Sequence, residues 1–403
     1  DLMAVTDELA AADDRVIRFR LSRPFPMLPI ALGKTTTPMC AMMPERLART
    51  DPFREVPEMV GSGPFRFLTD ERVSGARSAY ARFERYRPRP DGTTDWTAGP
   101  KHAHFDRIEW NTLPDIGTAA AALRAGEQDW LAYVSPDLAP TLRRARNLRV
   151  ARLDQTGMMN ILQLNHLQPP FDNPAIRRAL LGAIDQAACM QAIVGDDPAA
   201  YHTPLGFFCP GTPMANEQGL EAFTAPRDMG AVQSALRAAG YGGERVVLMI
   251  PVDNPPLQAL GEVAADTLKR AGLNLDVQAM DYGTMLARRQ RTESVVEGGW
   301  SAFVTGTAGT DWLNPAWHVM IRGSGRSGYP GWSSSERREA LRRSWLDATE
   351  DGERRRLCAA LQRQCLEEVP CTPLGQYFQA VAYRTSLTGM LNGFPTFWGV
   401  RPA

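Results

Sequence analysis

The sequence lacks a long apolar run and a net charge. In its 403 residues no stretch of about 18 consecutive apolar residues occurs, so we predict no membrane-spanning helix. Its 45 basic residues balance 45 acidic residues, so the chain as a whole is not drawn to nucleic acid or to anionic lipid. These features favour a globular protein, long enough to form two lobes.

The motifs of common catalytic and metal sites are also missing. None of the six cysteines forms a C-x-x-C pair and no H-E-x-x-H occurs, so neither zinc pattern is present. Leu28 stands where a phosphate-binding loop ending in Gly33–Thr35 needs its first glycine. His102 and His104 have no further His or Cys nearby, which favours a solvated pair over a metal site. We therefore predict no catalytic residue, no metal site and no cofactor.

What the sequence does contain is a strand–helix–strand pattern that occurs twice. The first runs from a strand at 105–110 through a helix to a strand at 129–131, and the second from 246–250 to 273–277. A right-handed crossover would make the two strands of each pattern parallel. Because the two patterns lie far apart in the chain, they indicate two α/β lobes rather than one sheet. The cysteine spacing does not decide whether Cys365 and Cys371 form a disulfide.

The segment from Asn165 to Leu180 is the most informative part of the chain. It reads as the end of a strand, a turn and the start of a helix. Asp172 or Asn173 can cap the free N–H groups of the helix, and Pro174 suits its first position. Apolar residues then recur every three or four positions, which predicts one buried helical face.

Several segments, in order along the chain, resemble one protein family. The motifs are a glycine turn, a helix ending in Gly-Glu-x-Asp, the segment above, a helix ending in Ala-Gly-Tyr, and three dipeptides. Together they resemble the bacterial extracytoplasmic solute-binding proteins of family 5, the oligopeptide, dipeptide and nickel binders. These motifs lie at Val60–Phe65, Ala125–Asp129, Asn165–Leu180, Leu236–Tyr241, Gly299–Trp300, Pro373–Leu374 and Thr388–Gly389.

The resemblance implies an α/β fold of the two-lobed periplasmic-binding-protein type (type II, Venus flytrap), with an extra subdomain in lobe I. It places lobe I at 1–205, lobe II at 206–380 and a return to lobe I at 381–403. Residues 1–60 would be the remainder of the extra subdomain, with the N-terminal part of the family fold missing. A chain that opens at Asp1 without a signal segment is expected from a removed leader or from trimming.

The resemblance also implies a function. The protein would be the periplasmic solute-binding component of an ABC importer. It would capture a small polar or peptide-like ligand between two lobes and deliver it to permease subunits in the membrane. We expect a monomer that binds no nucleic acid. The alternative functions are a hydrolase or carbohydrate-acting enzyme with a cleft active site, and a regulatory binder without a permease.

One departure from the family bears on the ligand. The resemblance implies that peptide-binding members carry an aspartate three residues after the tryptophan that matches Trp300, where it pairs with the α-amino group of the peptide. This chain has Phe303 at that position, and an apolar ring cannot neutralise an ammonium group, although it offers a cation–π face. Asp311 is the candidate to replace the missing carboxylate, provided that the intervening glycines fold it back.

The window 300–318 combines aromatic and polar side chains, as small-ligand pockets do, although two or three of these rings could instead fill a lobe core. Tyr282 follows a predicted strand, at the end where ligands bind in open α/β sheets, with ordinary loop packing as the alternative. Asn160 precedes the predicted strand 161–164, where it would face the cleft or serve as a turn or cap. The candidate ligand-binding residues are Trp300, Phe303, Asp311, Trp312, Asn314, Trp317, Tyr282 and Asn160.

Overall fold

A computed structural model of the protein describes residues 1–36, 39–51, 54, 56–393 and 395–403. The chain forms two compact units. Unit 1 consists of residues 1–36 and 156–377, and unit 2 of residues 37–155 and 378–403. Within the described ranges, no helix is both long enough and apolar enough to cross a membrane.

The chain alternates short strands and helices. The strands are β1 Thr6–Ala11, β2 Ile17–Leu21, β3 Phe65–Phe67, β4 Arg77–Arg82, β5 Arg107–Asn111, β6 Trp130–Val134, β7 Leu148–Ala151, β8 Met158–Leu164, β9 Tyr201–His202, β10 Arg245–Pro251, β11 Asn274–Met280, β12 Ala302–Ala308, β13 Cys371–Tyr377, β14 Ala380–Arg384, β15 Leu387–Thr388 and β16 Arg401–Pro402. The helices are α1 Leu28–Leu32, α2 Glu45–Ala48, α3 Ile116–Ala125, α4 Ala139–Arg143, α5 Pro174–Leu181, α6 Gln186–Val194, α7 Glu221–Thr224, α8 Met229–Ala238, α9 Pro255–Arg270, α10 Tyr282–Arg288, α11 Glu336–Asp347 and α12 Asp351–Glu368.

Unit 1 is built on a mixed sheet of six strands in the order β11-β10-β12-β8-β13-β9. Strands β10 and β11 pair in parallel, from Arg245 opposite Asn274 to Pro251 opposite Met280, and α9 connects them. This confirms the second strand–helix–strand prediction. The continuous apolar run 246–250 is buried along its whole length, as expected for a strand with both faces covered.

The informative segment 165–180 folds as predicted. Asn173, rather than Asp172, is the N-cap of α5: its Oδ1 accepts a hydrogen bond from the backbone N–H of Ala175 at 2.9 Å. Pro174 occupies the first helical turn. The side-chain Nδ2 of Asn173 also donates to the carbonyl of Ala239, beyond the end of α8. One side chain therefore both starts α5 and fixes it against a second helix.

Unit 2 contains two three-stranded sheets, β3-β4-β5 and β6-β14-β7. The first strand–helix–strand prediction is wrong, because β5 pairs with β4 in one sheet while β6 pairs with β14 in the other. The helix between them, α3, is correct: Asp115 caps it through the N–H of Thr118, and Gly126 ends it with φ +86°. The C-terminal tail supplies β14, a partner that the local pattern does not reveal.

The change from one unit to the other occurs at 36/37, 155/156 and 377/378. The predicted ranges 1–205, 206–380 and 381–403 do not coincide with these positions. Strand β8, which the prediction assigned to lobe I, lies between β12 and β13 in the middle of the six-stranded sheet. Residues from 156 to 205 therefore share a hydrophobic core with the residues that follow them.

No disulfide joins any of the six cysteines, all of which lie among the described residues. Cys365 and Cys371, for which a disulfide was left open, are both fully buried. Burial raises the pKa of the Cys365 thiol to about 12. The side chains of Cys365 and Cys371 therefore pack as small apolar groups of the core.

One edge of the six-stranded sheet collects several chain ends. Strands β12 and β13 end there, where Ala308 and Tyr377 both pair with Met158, the first residue of β8. Because β10 and β11 run parallel to β12, they end toward the same side. We call this side the carboxyl edge. The loops that follow these strands are thus placed where ligands bind in open α/β sheets.

Candidate functional site

Asp311 lies in a short 3-10 turn, Gly309–Trp312, directly after β12 at the carboxyl edge. Its carboxylate is half-buried, and this burial raises its pKa to about 6, against an opposing effect of the positive charge of Lys34. Among the described residues, neither Asp311 nor Lys34 makes an ion pair or a side-chain hydrogen bond. Two opposite charges thus act on each other without direct contact.

The turn that carries Asp311 depends on glycine at its first position. The backbone N–H of Gly309 donates to the carbonyl of Gly157 at 2.7 Å. A Cβ atom on Gly309 would lie 2.0 Å from the carbonyl oxygen of Thr156, a backbone atom that cannot simply move aside. The close contact of Gly309 with Thr156 and Gly157 therefore fixes the position of the turn that carries Asp311.

A pocket of about 170 Å³ lies near this turn, and Asp311 itself is not among the residues that line it. Its polar lining includes Lys34, and Trp317 contributes an indole ring. The indole Nε1–H of Trp317 donates to the carbonyl of Thr310 at 2.9 Å, which ties the ring to the residue before Asp311. The other residues that line the pocket are Asp1, Leu2, Phe25, Met27, Ile30, Ala31, Ala316 and Leu346.

Asn314 belongs to the same loop as Asp311 and Trp317. Its Oδ1 accepts a hydrogen bond from the backbone N–H of Ala316 at 2.9 Å, so the side chain shapes the loop that presents Trp317. Asn314 itself is half-buried. This contact gives Asn314 a supporting place beside the pocket, and direct contact with a ligand stays a prediction.

Tyr282 and Asn160 lie elsewhere at the carboxyl edge. Tyr282 begins α10, its backbone N–H donates to Asp253 Oδ1 at 2.7 Å, and its half-buried ring packs against the core. Asn160 lies inside β8 rather than before a strand, because β8 begins at Met158. Its side chain is buried and its Nδ2 donates to the carbonyl of Met158. Neither residue lines the pocket beside Lys34.

Three of the predicted pocket rings are core residues. Trp300 and Phe303 are 0% exposed and pack edge to face with ring centroids 4.9 Å apart, in a cluster with Met249, Met285 and Trp332. The Trp300 Nε1–H donates to the carbonyl of Arg289. With no free ring face and its one donor satisfied, this pair stabilises unit 1 rather than offering a surface to a ligand.

Trp312 is also 0% exposed. Its ring stacks on Phe207 with centroids 6.3 Å apart, and its Nε1–H donates to Thr307 Oγ1 at 2.8 Å. His318 packs against it with centroids 4.5 Å apart, and burial lowers the pKa of His318 to about 3. The turn 309–312 thus directs Trp312 inward, and in this structure the ring has no surface on which a ligand could lie.

The family of the chain follows from comparison with known proteins. The model for "Bacterial extracellular solute-binding proteins, family 5 Middle" matches residues 3–329. The chain belongs to this family. A probable peptide ABC transporter periplasmic-binding protein of Sinorhizobium fredii, y4tO, is 31% identical to this family-5 protein over 405 residues, covering 100% of the chain and 75% of the relative. The glutathione-binding protein GsiB of Pectobacterium atrosepticum is 26% identical over 324 residues, covering 78% of the chain and 58% of the relative.

Solved structures confirm the fold of this family-5 protein. AgaA from A.tumefacien R10, in complex with agropinic acid, aligns with a TM-score of 0.77 at 20% identity over 99% of the chain and 78% of AgaA. DppA from Helicobacter pylori, in complex with the peptide STSA, aligns with a TM-score of 0.76 at 19% identity over 99% of the chain and 74% of DppA. The predicted family and the predicted two-lobed α/β periplasmic-binding-protein fold are therefore confirmed.

These relatives also confirm the predicted class of function. The relative y4tO is named as a probable peptide ABC transporter periplasmic-binding protein, and the matching family consists of extracellular solute-binding proteins, so this family-5 protein is an extracytoplasmic binding protein that works with a solute and a permease. Its family and its relatives are transport proteins rather than enzymes. In the folded chain, Asp311 and Trp317 lie near Lys34. No sequence pattern predicts this, because Lys34 is far along the chain from the loop that carries Asp311 and Trp317.

Replacing Asp311 with asparagine tests the cost of its buried charge. A pKa raised from 3.8 to about 6 means that the folded state binds the proton more tightly, so stability falls as pH rises between these values. At pH 7.5 we expect Asp311→Asn to raise the free energy of unfolding by about 1–2 kcal/mol, allowing for screening of a half-exposed group. At pH 3 to 4 the gain should vanish. Urea unfolding at several pH values measures both, and a gain independent of pH would contradict the burial of an ionised Asp311.

Proposed function

We propose that this family-5 protein is the solute-binding component of an ABC importer, which delivers a small polar or peptide-like ligand to a permease and performs no chemistry on it. The observation that carries the proposal is the unpaired, half-buried carboxylate of Asp311 close to Lys34, which lines a pocket with an indole wall. An unpaired charge away from water is costly, and a ligand that brings a positive group offsets this cost on binding.

The pocket bears on the size of the ligand. Pockets that enclose whole drug-sized ligands measure roughly 300–1,000 Å³. The volume of about 170 Å³ suits a small solute or one end of a larger one. The relatives are named for peptides and glutathione, and the solved complexes contain agropinic acid and a peptide, so we propose a peptide-like solute for this chain as well.

The enzyme alternative finds less support. A carbohydrate-acting hydrolase generally needs a pair of carboxylates on either side of the bond that it breaks. The acidic residue that lines the pocket, Asp1, forms an ion pair with Arg342, and Asp311 is not among the lining residues, so no pair of free carboxylates faces the pocket among the residues that line it. We therefore propose binding without turnover, by a monomer that binds no nucleic acid. Capture between two lobes, which the family resemblance implies, stays a prediction.

The test is to isolate the protein without denaturation and to identify any co-purified solute by native mass spectrometry. Isothermal titration calorimetry should then give at least tenfold weaker binding of that solute, and of glutathione and Met-Leu as added probes, for Asp311→Asn than for the unaltered protein. Asp266→Asn is the matched control, because Asp266 is an exposed carboxylate on α9. Equal binding by Asp311→Asn would contradict the site. A solute recovered chemically changed after incubation would favour the enzyme.

A further inference from the structure

Unit 2 carries a surplus of positive charge although the whole chain is neutral. Its residues include 20 basic and 16 acidic side chains, whereas those of unit 1 include 25 and 29. Between Asp137 and Asp154 the sequence of unit 2 contains five arginines and no acidic residue. One of the five, Arg152, lies over the ring of Phe378. The other four are all exposed, and we call them the arginine patch: Arg143, Arg144, Arg146 and Arg149.

The arginine patch lacks the carboxylate partners that other arginine-rich surfaces of the protein have. On the hairpin formed by β1 and β2, Arg18 and Arg20 both pair with Glu8. In the sheet β3-β4-β5, Arg107 pairs with Glu71. Among the described residues, none of the four side chains of the patch forms an ion pair. Their charge is therefore not neutralised within the protein.

The segment that carries the patch has a fixed position on unit 2. Leu142 and Leu148 are buried in one hydrophobic cluster, so the residues between them form a short turn at the surface. The backbone N–H of Leu148 donates to the carbonyl of Ala145 at 3.1 Å, and that of Thr385 donates to the carbonyl of Asn147 at 2.9 Å. The four arginines thus extend from a preformed surface.

Protection of a sheet edge explains only one of the four arginines. Strand β7 is the last strand of the sheet β6-β14-β7, and charged side chains on such a strand discourage pairing with another chain. Arg149 belongs to β7, whereas the other three lie in α4 and the turn that follows it. At about 0.1 M salt, charges more than about 10 Å away are largely screened, so the patch attracts anions locally although the whole chain is neutral.

We propose that the arginine patch binds unit 2 to a membrane surface of anionic phospholipids, through ion pairs with the phosphates of the head groups. An extracytoplasmic binding protein that works with a permease meets such a surface around its partner. Arginine suits this contact, because its planar guanidinium group can donate two parallel hydrogen bonds to one phosphate. Each basic side chain near an anionic surface strengthens binding about fivefold, so four of them give an attachment that is measurable and reversible.

Cosedimentation with lipid vesicles tests the proposal. Vesicles of equal parts phosphatidylglycerol and phosphatidylcholine should bind roughly half of the protein at about 1 mM accessible lipid and about 25 mM NaCl. Vesicles of phosphatidylcholine alone should bind almost none. Raising NaCl to about 300 mM should release most of the bound protein, because salt screens surface charges. A variant with glutamine in place of all four arginines of the patch should bind the anionic vesicles about a hundredfold more weakly.

The matched control removes the same number of positive charges from α11 and α12 of unit 1, where exposed arginines alternate with acidic residues. Its substitutions are Arg337→Gln, Arg343→Gln, Arg355→Gln and Arg356→Gln. Every substituted side chain is exposed, so both variants should remain folded. We expect the control to keep the vesicle binding of the unaltered protein.

Equal losses in the two variants would show that only the net charge matters, and would overturn the role of the patch. Failure of the unaltered protein to bind anionic vesicles would also overturn the proposal. So would patch-dependent binding of soluble polyglutamate that is tighter, per negative charge, than binding of the vesicles, because the partner would then be an acidic protein surface. None of these outcomes bears on solute binding, since the pocket beside Lys34 belongs to unit 1.

Discussion

Replacing Arg338 with methionine is expected to lower the free energy of unfolding by about 3–5 kcal/mol. The Arg338 side chain is fully buried, and its Nε donates to Glu368 Oε2 at 2.6 Å. Its Nη1 donates to the carbonyls of Ile321 and Arg322. The methionine would leave the Glu368 carboxylate without its charged partner and the carbonyls without donors. Urea unfolding at pH 7.5 measures the loss.

The neighbouring residue provides a matched control for this prediction. Arg337 is exposed on the same helix, α11, so Arg337→Met should change the free energy of unfolding by no more than about 0.5 kcal/mol. Changing both partners, Arg338→Met with Glu368→Leu, should recover part of the loss, because no unpaired charge then remains. A loss below about 1 kcal/mol for Arg338→Met would show that the ion pair contributes little.

Phe303→Ala is expected to cost about 3–5 kcal/mol of stability and to leave ligand binding by the folded protein unchanged. Phe303 is 0% exposed and packs against Trp300 in a buried cluster, so its loss opens a cavity in the core. Thermal unfolding measures the first effect. Calorimetric titration at a temperature where the variant stays folded measures the second.

These two measurements distinguish two roles for Phe303, a core side chain or a ligand contact. The family resemblance implies that the residue at this position contacts the ligand. Phe303→Leu preserves most of the apolar volume and should cost no more than about 1.5 kcal/mol. If Phe303→Ala kept its stability but no longer bound the ligand, Phe303 would be a ligand-contacting residue. The two variants together therefore test whether the aromatic window 300–303 belongs to the core or to the pocket.

Local signals in the sequence were reliable where the structure depends on neighbouring residues. The unbroken apolar run 246–250 gave the buried strand β10, and the Asn173–Pro174 pair gave the start of α5. The first strand–helix–strand prediction failed for a different reason. Strand β6 pairs with β14, which lies near the other end of the chain, and no local pattern reports such a partner.

The site was partly predictable for the same reason. The sequence singled out Asp311 and Trp317, because a carboxylate and an indole in one loop are typical of a pocket. It could not distinguish Trp317 from Trp300 or Trp312, since an indole side chain suits a pocket wall and a core equally well. Burial, decided by packing between distant segments, separates them. Lys34 was not predicted, because it lies far along the chain from the loop that carries Asp311 and Trp317.

The pairing of Met158 with Tyr377 has a further consequence for the architecture of the chain. Residues 156–377 begin and end on neighbouring strands, whose Cα atoms lie about 4.5–5.5 Å apart in an antiparallel pair. The chain therefore enters unit 1 at 155/156 and leaves it at 377/378 on two neighbouring strands of one sheet. Because Val5, Phe25 and Met27 belong to the same buried core, a fragment of residues 156–377 alone would lack part of unit 1.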